Sequence, residues 1–381
     1  MTTQVIILGS TGSIGTQALD VIRAHPDLFD VVGLAAGGGQ EELFLQQIRE
    51  FSPRMVATSR PIQNLPSGQS AVEELAGSFP DATVLNAVAG GVGLVSTLRA
   101  LEAGATVALA NKESLVVGGR LVKDAMQRPG QVIPVDSEHS AIAQALLAGT
   151  HEKGMVSPVV TGKSDLREIV LTASGGPFRG KKTSELRDVT AKQALAHPTW
   201  NMGPVVTINS STLMNKGLEL IEAALLFDVA PDSITPVIHP QSVVHSMVTW
   251  NDGSTIAQAS YPDMKVPIAL GLQWPTHIPH VGAPLRWREA QNWEFEPVDH
   301  EVFPALRLAA EALKSSATHP SVMNAANEVC VDAFLHGRLG WLQMMDVVSR
   351  VLSEHVGIEN PDVDAVLDAQ EWAAARAGEL L

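Results

Sequence analysis

The sequence predicts an α/β chain in three parts: a doubly wound, Rossmann-like parallel sheet at the N-terminus, a central α+β domain, and a C-terminal helical bundle. Three observations lead there. Up to about residue 136, short β-rich runs alternate with segments of helical spacing, the pattern of a parallel sheet covered by crossover helices. After about residue 165, strands follow one another with few helices between them. From Pro304 onward, apolar residues recur at three- and four-residue intervals, as in helices that bury one face.

The first part takes its strands from residues 5–8, 31–35, 55–58, 83–88, 106–110 and 132–135. Between the first two, Ile14, Ala18, Val21 and Ile22 form one stripe, and a right-handed crossover would pack that helix back onto the sheet. The second part reads as strands at 169–173, 205–208, 237–238, 243–250 and 254–259. Residues 274–304, rich in Pro and Trp, show little periodicity and read as a connecting arm. In the third part Leu306, Ala309, Ala310 and Leu313, then Val322, Ala325, Ala326 and Val329, mark buried helix faces. The expected domains are 1–136, 137–273 with a lid at 174–203, a linker at 274–303, and 304–381.

The 381 residues are 45% hydrophobic and 18% charged, which excludes a disordered or fibrous chain. Twenty-six Lys and Arg against 41 Asp and Glu leave a net charge of −15, so nucleic acid and anionic membrane are not expected partners. One cysteine, Cys330, excludes an internal disulfide and multi-cysteine metal sites and fits a reducing compartment. The N-terminus lacks the basic region of a secretory signal, and no apolar run approaches the roughly 18–20 residues of a membrane span. A cytoplasmic protein is expected.

Gly9-Ser10-Thr11-Gly12-Ser13-Ile14-Gly15 follows the first strand and opens the first helix. Small residues there let a pyrophosphate approach the N–H groups of a helix N-terminus, which points to a Rossmann-like dinucleotide site, although the spacing is GxxGxxG and glycines also make plain turns. Gly37-Gly38-Gly39, Gly90-Gly91 and Asn111-Lys112-Glu113 close other strands on the same carboxyl edge. No acidic residue follows the second strand to grip an adenosine 2′-hydroxyl, which favours NADP over NAD. No basic residue stands in that turn either. A 2′-phosphate would rest on backbone N–H groups or on a residue such as Arg60.

Val135-Asp136-Ser137-Glu138-His139 ends the last parallel strand. If the segment stays extended, Asp136 and Glu138 point the same way and need a cation; oxygen ligands suit Mg²⁺ or Mn²⁺. Asp136 or Ser137 reads equally well as the cap of a following helix. Further on, Asn215 and Glu219 stand four apart, one helical turn, with Lys216 beside them and Ser210 upstream. Lys216, Ser210 and Asn215 could hold a phosphate while Glu219 brings a third carboxylate to the cation; the stretch could also be a surface helix start. Between Ser174-Gly175-Gly176 and His197-Pro198-Thr199-Trp200-Asn201-Met202-Gly203 the chain is polar and Lys-rich, which fits a loop that closes over substrate or a plain hydrophilic loop.

Taken together these motifs resemble the 1-deoxy-D-xylulose 5-phosphate reductoisomerase family: GSTGSIG at 9–15, ANKESLV at 110–116, VDSEHSA at 135–141, SGGPFR at 174–179, HPTWNMG at 197–203, LMNKGLELIEA at 213–223, HPQSVVHSMV at 239–248 and NAANEVCVDAFL at 324–335. The resemblance spans nearly the whole chain. It implies an NADPH-dependent enzyme of the non-mevalonate isoprenoid pathway that breaks and re-forms a carbon–carbon bond of its sugar phosphate substrate and reduces the branched aldehyde to 2-C-methyl-D-erythritol 4-phosphate. It implies Asp136, Glu138 and Glu219 as ligands of Mg²⁺ or Mn²⁺, and Ser174, His197, Ser210, Asn215 and Lys216 at the phosphate end. Ser137 and Lys112 would reach the hydroxyl and carbonyl end, and Trp200 would cover the substrate. Thr11, Gly12, Ser13 and Ile14 would surround the pyrophosphate, Gly37 the adenosine, Asn111 and Glu113 the nicotinamide, with Gly203 added from the lid. A homodimer is implied, for which Val243, Val244, Met247 and Val248 offer an apolar face.

The chain departs from the family at Gly38-Gly39, where many members carry a basic residue or Ser followed by Asn, at Asn209, where Asp is frequent, and at 151–167, which is longer than usual. Two other readings compete. A plain NADP-dependent dehydrogenase would share the first domain without needing three carboxylates, and a catalytically dead sensor would have lost the ligand positions.

Overall fold

The computed structural model describes residues 2–200 and 202–381, and two compact units divide the chain. The first comprises Met1–Leu115, Arg120–Asp165 and Asp263–Leu285; the second comprises Val116–Gly119, Leu166–Pro262 and Arg286–Leu381.

In the first unit the β-branched runs form six strands: β1 (Thr3–Leu8), β2 (Phe29–Ala36), β3 (Met55–Thr58), β4 (Thr83–Asn86), β5 (Thr106–Leu109) and β6 (Val132–Pro134). They pair in parallel in the order β3-β2-β1-β4-β5-β6, so every strand ends at one edge. The order reverses between β1 and β4, where open sheets of this kind leave a ligand crevice. Central β1 is apolar on both faces, with Val5, Ile6, Ile7 and Leu8 fully buried, as expected of a parallel strand covered by helices. Helix Ser13–Ala24 buries Ala18, Val21 and Ile22 of the expected stripe against it, together with Leu19, while Ile14 is partly buried.

One covering helix comes from far along the chain. Lys265–Gln273 places Ile268, Ala269 and Leu272 in the same core as Val5, Ile7, Leu85 and Val135. Gly271 makes the approach feasible: a Cβ there would stand 2.7 Å from Val135 Cγ2.

The second unit holds a mixed sheet of β7 (Leu166–Ala173), β8 (Ile234–Ile238), β9 (Val244–Trp250), β10 (Thr255–Ala259) and β11 (Glu296–Pro297), in the order β10-β9-β7-β8-β11. Among the described residues, only β7 and β8 of this sheet run parallel. Residues 205–208 do not form the expected strand. They belong to helix Pro204–Ser211, where Pro204 at the first turn presets φ and burial of Thr207 and Ile208 overrides the strand preference of Val, Val, Thr and Ile. Helix Met214–Phe227 follows directly, so two helices stand where few were expected. Four C-terminal helices, Ala305–Ser315, His319–Leu335, Trp341–Glu354 and Val363–Glu379, match the expected bundle. They brace the two central helices: Asn327 Nδ2 donates to Asn209 Oδ1 at 2.9 Å, Trp341 Nε1 donates to Ser211 Oγ at 3.0 Å, and Gly217 lies against the Ala305 backbone.

Candidate active site

In the first unit the glycine turn is set by backbone contact. Gly9 adopts φ +85°, and a Cβ there would stand 2.6 Å from the Ala87 carbonyl oxygen at the end of β4. A Cβ at Gly15 would stand 2.3 Å from Gly9 O, so the first helix turn lies directly on the loop. Gly12 caps helix Ser13–Ala24 without a side-chain hydrogen bond, leaving the first-turn N–H groups to an anion. The loop is braced from below: buried Gln47 donates to Ser10 O at 2.9 Å and accepts from Ser10 Oγ at 2.8 Å. Gln40 Nε2 donates to Thr11 O at 2.9 Å. A Cβ at Gly37 or Gly39 would meet nothing within 4 Å, so the end of β2 is open.

The end of β5 supplies the next residues. Asn111 is buried, with Nδ2 donating to Gly90 O and Glu113 Oε2, both at 3.0 Å, and Oδ1 accepting from Ser114 N–H at 2.8 Å. Lys112 opens helix Lys112–Gly118 and places Nζ 2.6 Å from Asp136 Oδ2, with both side chains about seven-eighths covered.

Asp136 and Glu138 are not side by side on an extended segment. Helix Ser137–Leu146 begins there, and Asp136 is its N-cap, accepting from the Glu138 N–H at 3.3 Å. The capping alternative is therefore the one realised, because an acidic cap and an acidic first turn complement the unpaired N–H groups and positive end of the helix. Asp136 Oδ1 also meets Nδ1 of fully buried His139 at 3.2 Å, and Ser137 Oγ donates to Glu138 Oε2 at 2.6 Å. His139 had no role in the sequence reading. Its position one helical turn after Asp136 was the available signal.

In the second unit, Ser174 follows β7 and its Oγ lies 3.0 Å from His197 Nε2. The other ring nitrogen, Nδ1, accepts the N–H groups of Thr199 and Trp200 at 3.1 and 2.9 Å. That fixes the proton on Nε2 as the donor to Ser174, and burial lowers the His197 pKa, keeping the ring neutral. Gly176, at φ +65°, brings the same turn onto the Ser210 carbonyl, 2.6 Å from where a Cβ would be. Ser210 ends helix Pro204–Ser211, whose N-cap is Gly203. The predicted helical face of the next helix is present: Asn215 Nδ2 donates to Glu219 Oε1 and Lys216 Nζ pairs with Glu219 Oε2, with Lys216 and Glu219 almost completely buried. A surface helix start is thereby excluded. The Trp200 and His245 rings lie 6.3 Å apart. Burial is the largest cause lowering the His245 pKa, assisted by the Lys216 and His239 charges and opposed by hydrogen bonds to the Ser260 and Tyr261 backbone. Asn201, within the expected lid, lies outside the described residues.

The first unit thus gathers Thr11, Gly12, Ser13, Ile14, Gly37, Asn111, Lys112, Glu113, Asp136, Ser137 and Glu138 at strand ends and the loops and helix starts that follow them, and the second holds Ser174, His197, Trp200, Gly203, Ser210, Asn215, Lys216 and Glu219. Comparison with known proteins covers nearly the whole chain. A family model described as 1-deoxy-D-xylulose 5-phosphate reductoisomerase matches residues 5–119, and two models of its C-terminal domain match 132–227 and 259–376. The 1-deoxy-D-xylulose 5-phosphate reductoisomerase of Beutenbergia cavernae is 54% identical, covering 99% of this chain and 97% of its own. The chain belongs to the 1-deoxy-D-xylulose 5-phosphate reductoisomerase family. The reductoisomerase of Pseudarthrobacter chlorophenolicus is 51% identical over 99% of this chain and 98% of its own length. The Zymomonas mobilis reductoisomerase, solved in complex with NADPH, superposes with a TM-score of 0.90 at 36% identity, covering 100% of this chain and 99% of that one. A reductoisomerase solved with NADPH, fosmidomycin and magnesium gives 0.86 at 33% identity, over 99% and 98% of the two chains.

Proposed function

We propose that this reductoisomerase converts 1-deoxy-D-xylulose 5-phosphate to 2-C-methyl-D-erythritol 4-phosphate, using NADPH and a divalent cation, in non-mevalonate isoprenoid precursor biosynthesis. One observation carries the reading: a single sheet edge holds both an uncapped helix start suited to a pyrophosphate and a carboxylate–lysine pair, Asp136 with Lys112. The residues fit both groups. The glycine turn excludes side chains by backbone contact, and the acidic residues offer hard oxygen ligands, which suit Mg²⁺ or Mn²⁺.

Asp136, Glu138 and Glu219 would be the ligands of the cation. When bound, the cation supplies Lewis acidity at the substrate oxygens and NADPH supplies the hydride. Lys216, Asn215, Ser210 and Ser174 would hold the phosphate by charge-assisted hydrogen bonds. His197, neutral with its proton on Nε2, would donate from the lid side, while Trp200 covers the substrate and excludes water. Lys112 and Ser137 would orient the hydroxyl and carbonyl end, where the Lys112 ammonium also favours developing negative charge. Thr11, Gly12, Ser13 and Ile14 would bind the pyrophosphate, Gly37 the adenosine side, and Asn111, Glu113 and Gly203 the nicotinamide side of NADPH.

By role, residues 1–136 would bind NADPH and 137–273 the metal and substrate, with 174–203 closing as a lid; 274–303 would link to the helical domain 304–381. A homodimer is supported by β10. Among the described residues it pairs only with β9 and exposes Thr255, Ile256 and Ala257, an edge suited to a second copy. The face expected from the sequence is less available, since Val244 and Val248 are buried. Among the described residues no helix is long and apolar enough to cross a membrane. A cytoplasmic location is supported by the free, buried Cys330.

The test follows NADPH oxidation with 1-deoxy-D-xylulose 5-phosphate, with Mg²⁺, Mn²⁺ or chelator, and identifies the product by mass spectrometry. Turnover that needs both sugar phosphate and metal is expected. Metal-independent reduction of another carbonyl compound would replace this reading with a plain dehydrogenase.

A further inference from the structure

The adenosine end of the nucleotide site poses a question of charge. β2 ends in Ala36 and Gly37-Gly38-Gly39, with neither the carboxylate that would grip a ribose 2′-hydroxyl nor a cation for a 2′-phosphate. The neighbouring strand supplies one. Ser59 N–H donates to Ala36 O at 2.9 Å and ties the end of β3 to the end of β2. The next residue, Arg60, lies directly against the glycine turn: a Cβ built on Gly38, which adopts φ +86°, would stand 3.0 Å from both Arg60 Cβ and Arg60 O. Gly38 therefore makes room for Arg60, which a side chain at position 38 would crowd.

Other arginines of the neighbouring elements are committed elsewhere. Arg23 pairs with Asp20 and Glu50, and Arg54 pairs with Asp30 at the opposite, amino edge of the sheet. Arg49 lies in the last turn of helix Glu41–Phe51, which runs from the carboxyl edge back toward the amino edge. Arg60 is exposed and has no ion-pair partner among the described residues. Glu41, which begins the helix after the turn, accepts from Gln63 Nε2 at 3.2 Å.

We propose that Arg60 is the residue that recognises the adenosine 2′-phosphate and so sets the preference for NADPH over NADH. This rests on the cofactor reading above and adds which side chain discriminates. A planar guanidinium can hold a phosphate through two parallel hydrogen bonds, and Gly39, with nothing within 4 Å of a built Cβ, leaves the approach open.

The experiment measures binding without substrate or metal, by nicotinamide fluorescence for NADPH and NADH and by calorimetry for adenosine 2′,5′-bisphosphate. Arg60→Ala should weaken NADPH and the bisphosphate by about 10- to 100-fold and change NADH by less than about 2-fold. Arg60→Lys, which keeps the charge without the fork, should fall between. Circular dichroism confirms that the variants fold. A wild-type protein that prefers NADPH, with that preference intact in Arg60→Ala, overturns this inference alone. A wild-type protein that binds neither nucleotide overturns the cofactor reading and the inference with it.

Discussion

Lys216 offers the sharpest test of the charged cluster in the second unit. Its ammonium pairs with Glu219 Oε2 where the two side chains are only 5% and 1% exposed, and Asn215 holds the other carboxylate oxygen. Lys216→Ala takes the cation from a carboxylate that water barely reaches. Breaking a buried pair from one side costs about 3–5 kcal/mol. In a unit of about 200 residues, 1 kcal/mol corresponds to about 2–4 °C, so its melting temperature should fall by about 6–20 °C. Two controls separate the causes. Lys216→Ala combined with Glu219→Gln should recover much of the loss, because no buried charge is left without its cation. Mg²⁺ should stabilise Lys216→Ala more than the wild type if Glu219 is a metal ligand, since a second cation then replaces the first. Removing the phosphate contact should also raise KM for the sugar phosphate by about 10-fold or more. Calorimetry with and without Mg²⁺, and steady-state kinetics, read these effects. A variant with wild-type melting temperature and unchanged KM would refute both the electrostatic account and the phosphate role.

Glu219→Gln leaves the buried Lys216 ammonium without its carboxylate, so it should lower the melting temperature as well as lose turnover, with Mg²⁺ titration showing weakened affinity; full activity at limiting metal would sink the ligand assignment. The His197 pKa is lowered in the folded chain, so the unfolded chain binds the proton more readily, and the contribution of neutral His197 is present above pH 6.5 and lost as pH falls below it. Limited proteolysis of 174–200 should accelerate below that pH, and an equally steep rise in His197→Asn would assign the effect to another group. Gly15→Ala would force a Cβ to 2.3 Å from Gly9 O and 2.6 Å from Ser10 Cα, backbone atoms that must shift at a cost of about 1–3 kcal/mol. Urea unfolding should show that loss together with weakened NADPH binding, and wild-type values for both would contradict the close-packed turn.

Much of the site was legible because its chemistry is local in sequence. GSTGSIG is a strand–turn–helix junction, and Asn215, Lys216 and Glu219 fall on one helical face by spacing alone. Where long-range packing competes with local preference, the sequence misled. Val205-Val206-Thr207-Ile208 has strand composition and folds as a helix, because Pro204 starts it and the C-terminal helices bury it through Asn209 and Ser211. At Asp136 the sequence left an extended segment and a helix cap equally open, and the structure realises the cap.

Hydrophobic period and glycine placement determined the parallel sheet, the nucleotide turn, the helical bundle and the identities of the charged residues, since each depends on a few adjacent positions and on the φ angles they allow. Tertiary structure decided the strand order, the return of helix Lys265–Gln273 onto a sheet begun more than two hundred residues earlier, and the pairing of Lys112 with Asp136. It also set Arg60 against Gly38. These are contacts between segments distant in the chain, stabilised by the area they bury and the charges they bring together, and no local pattern records either quantity.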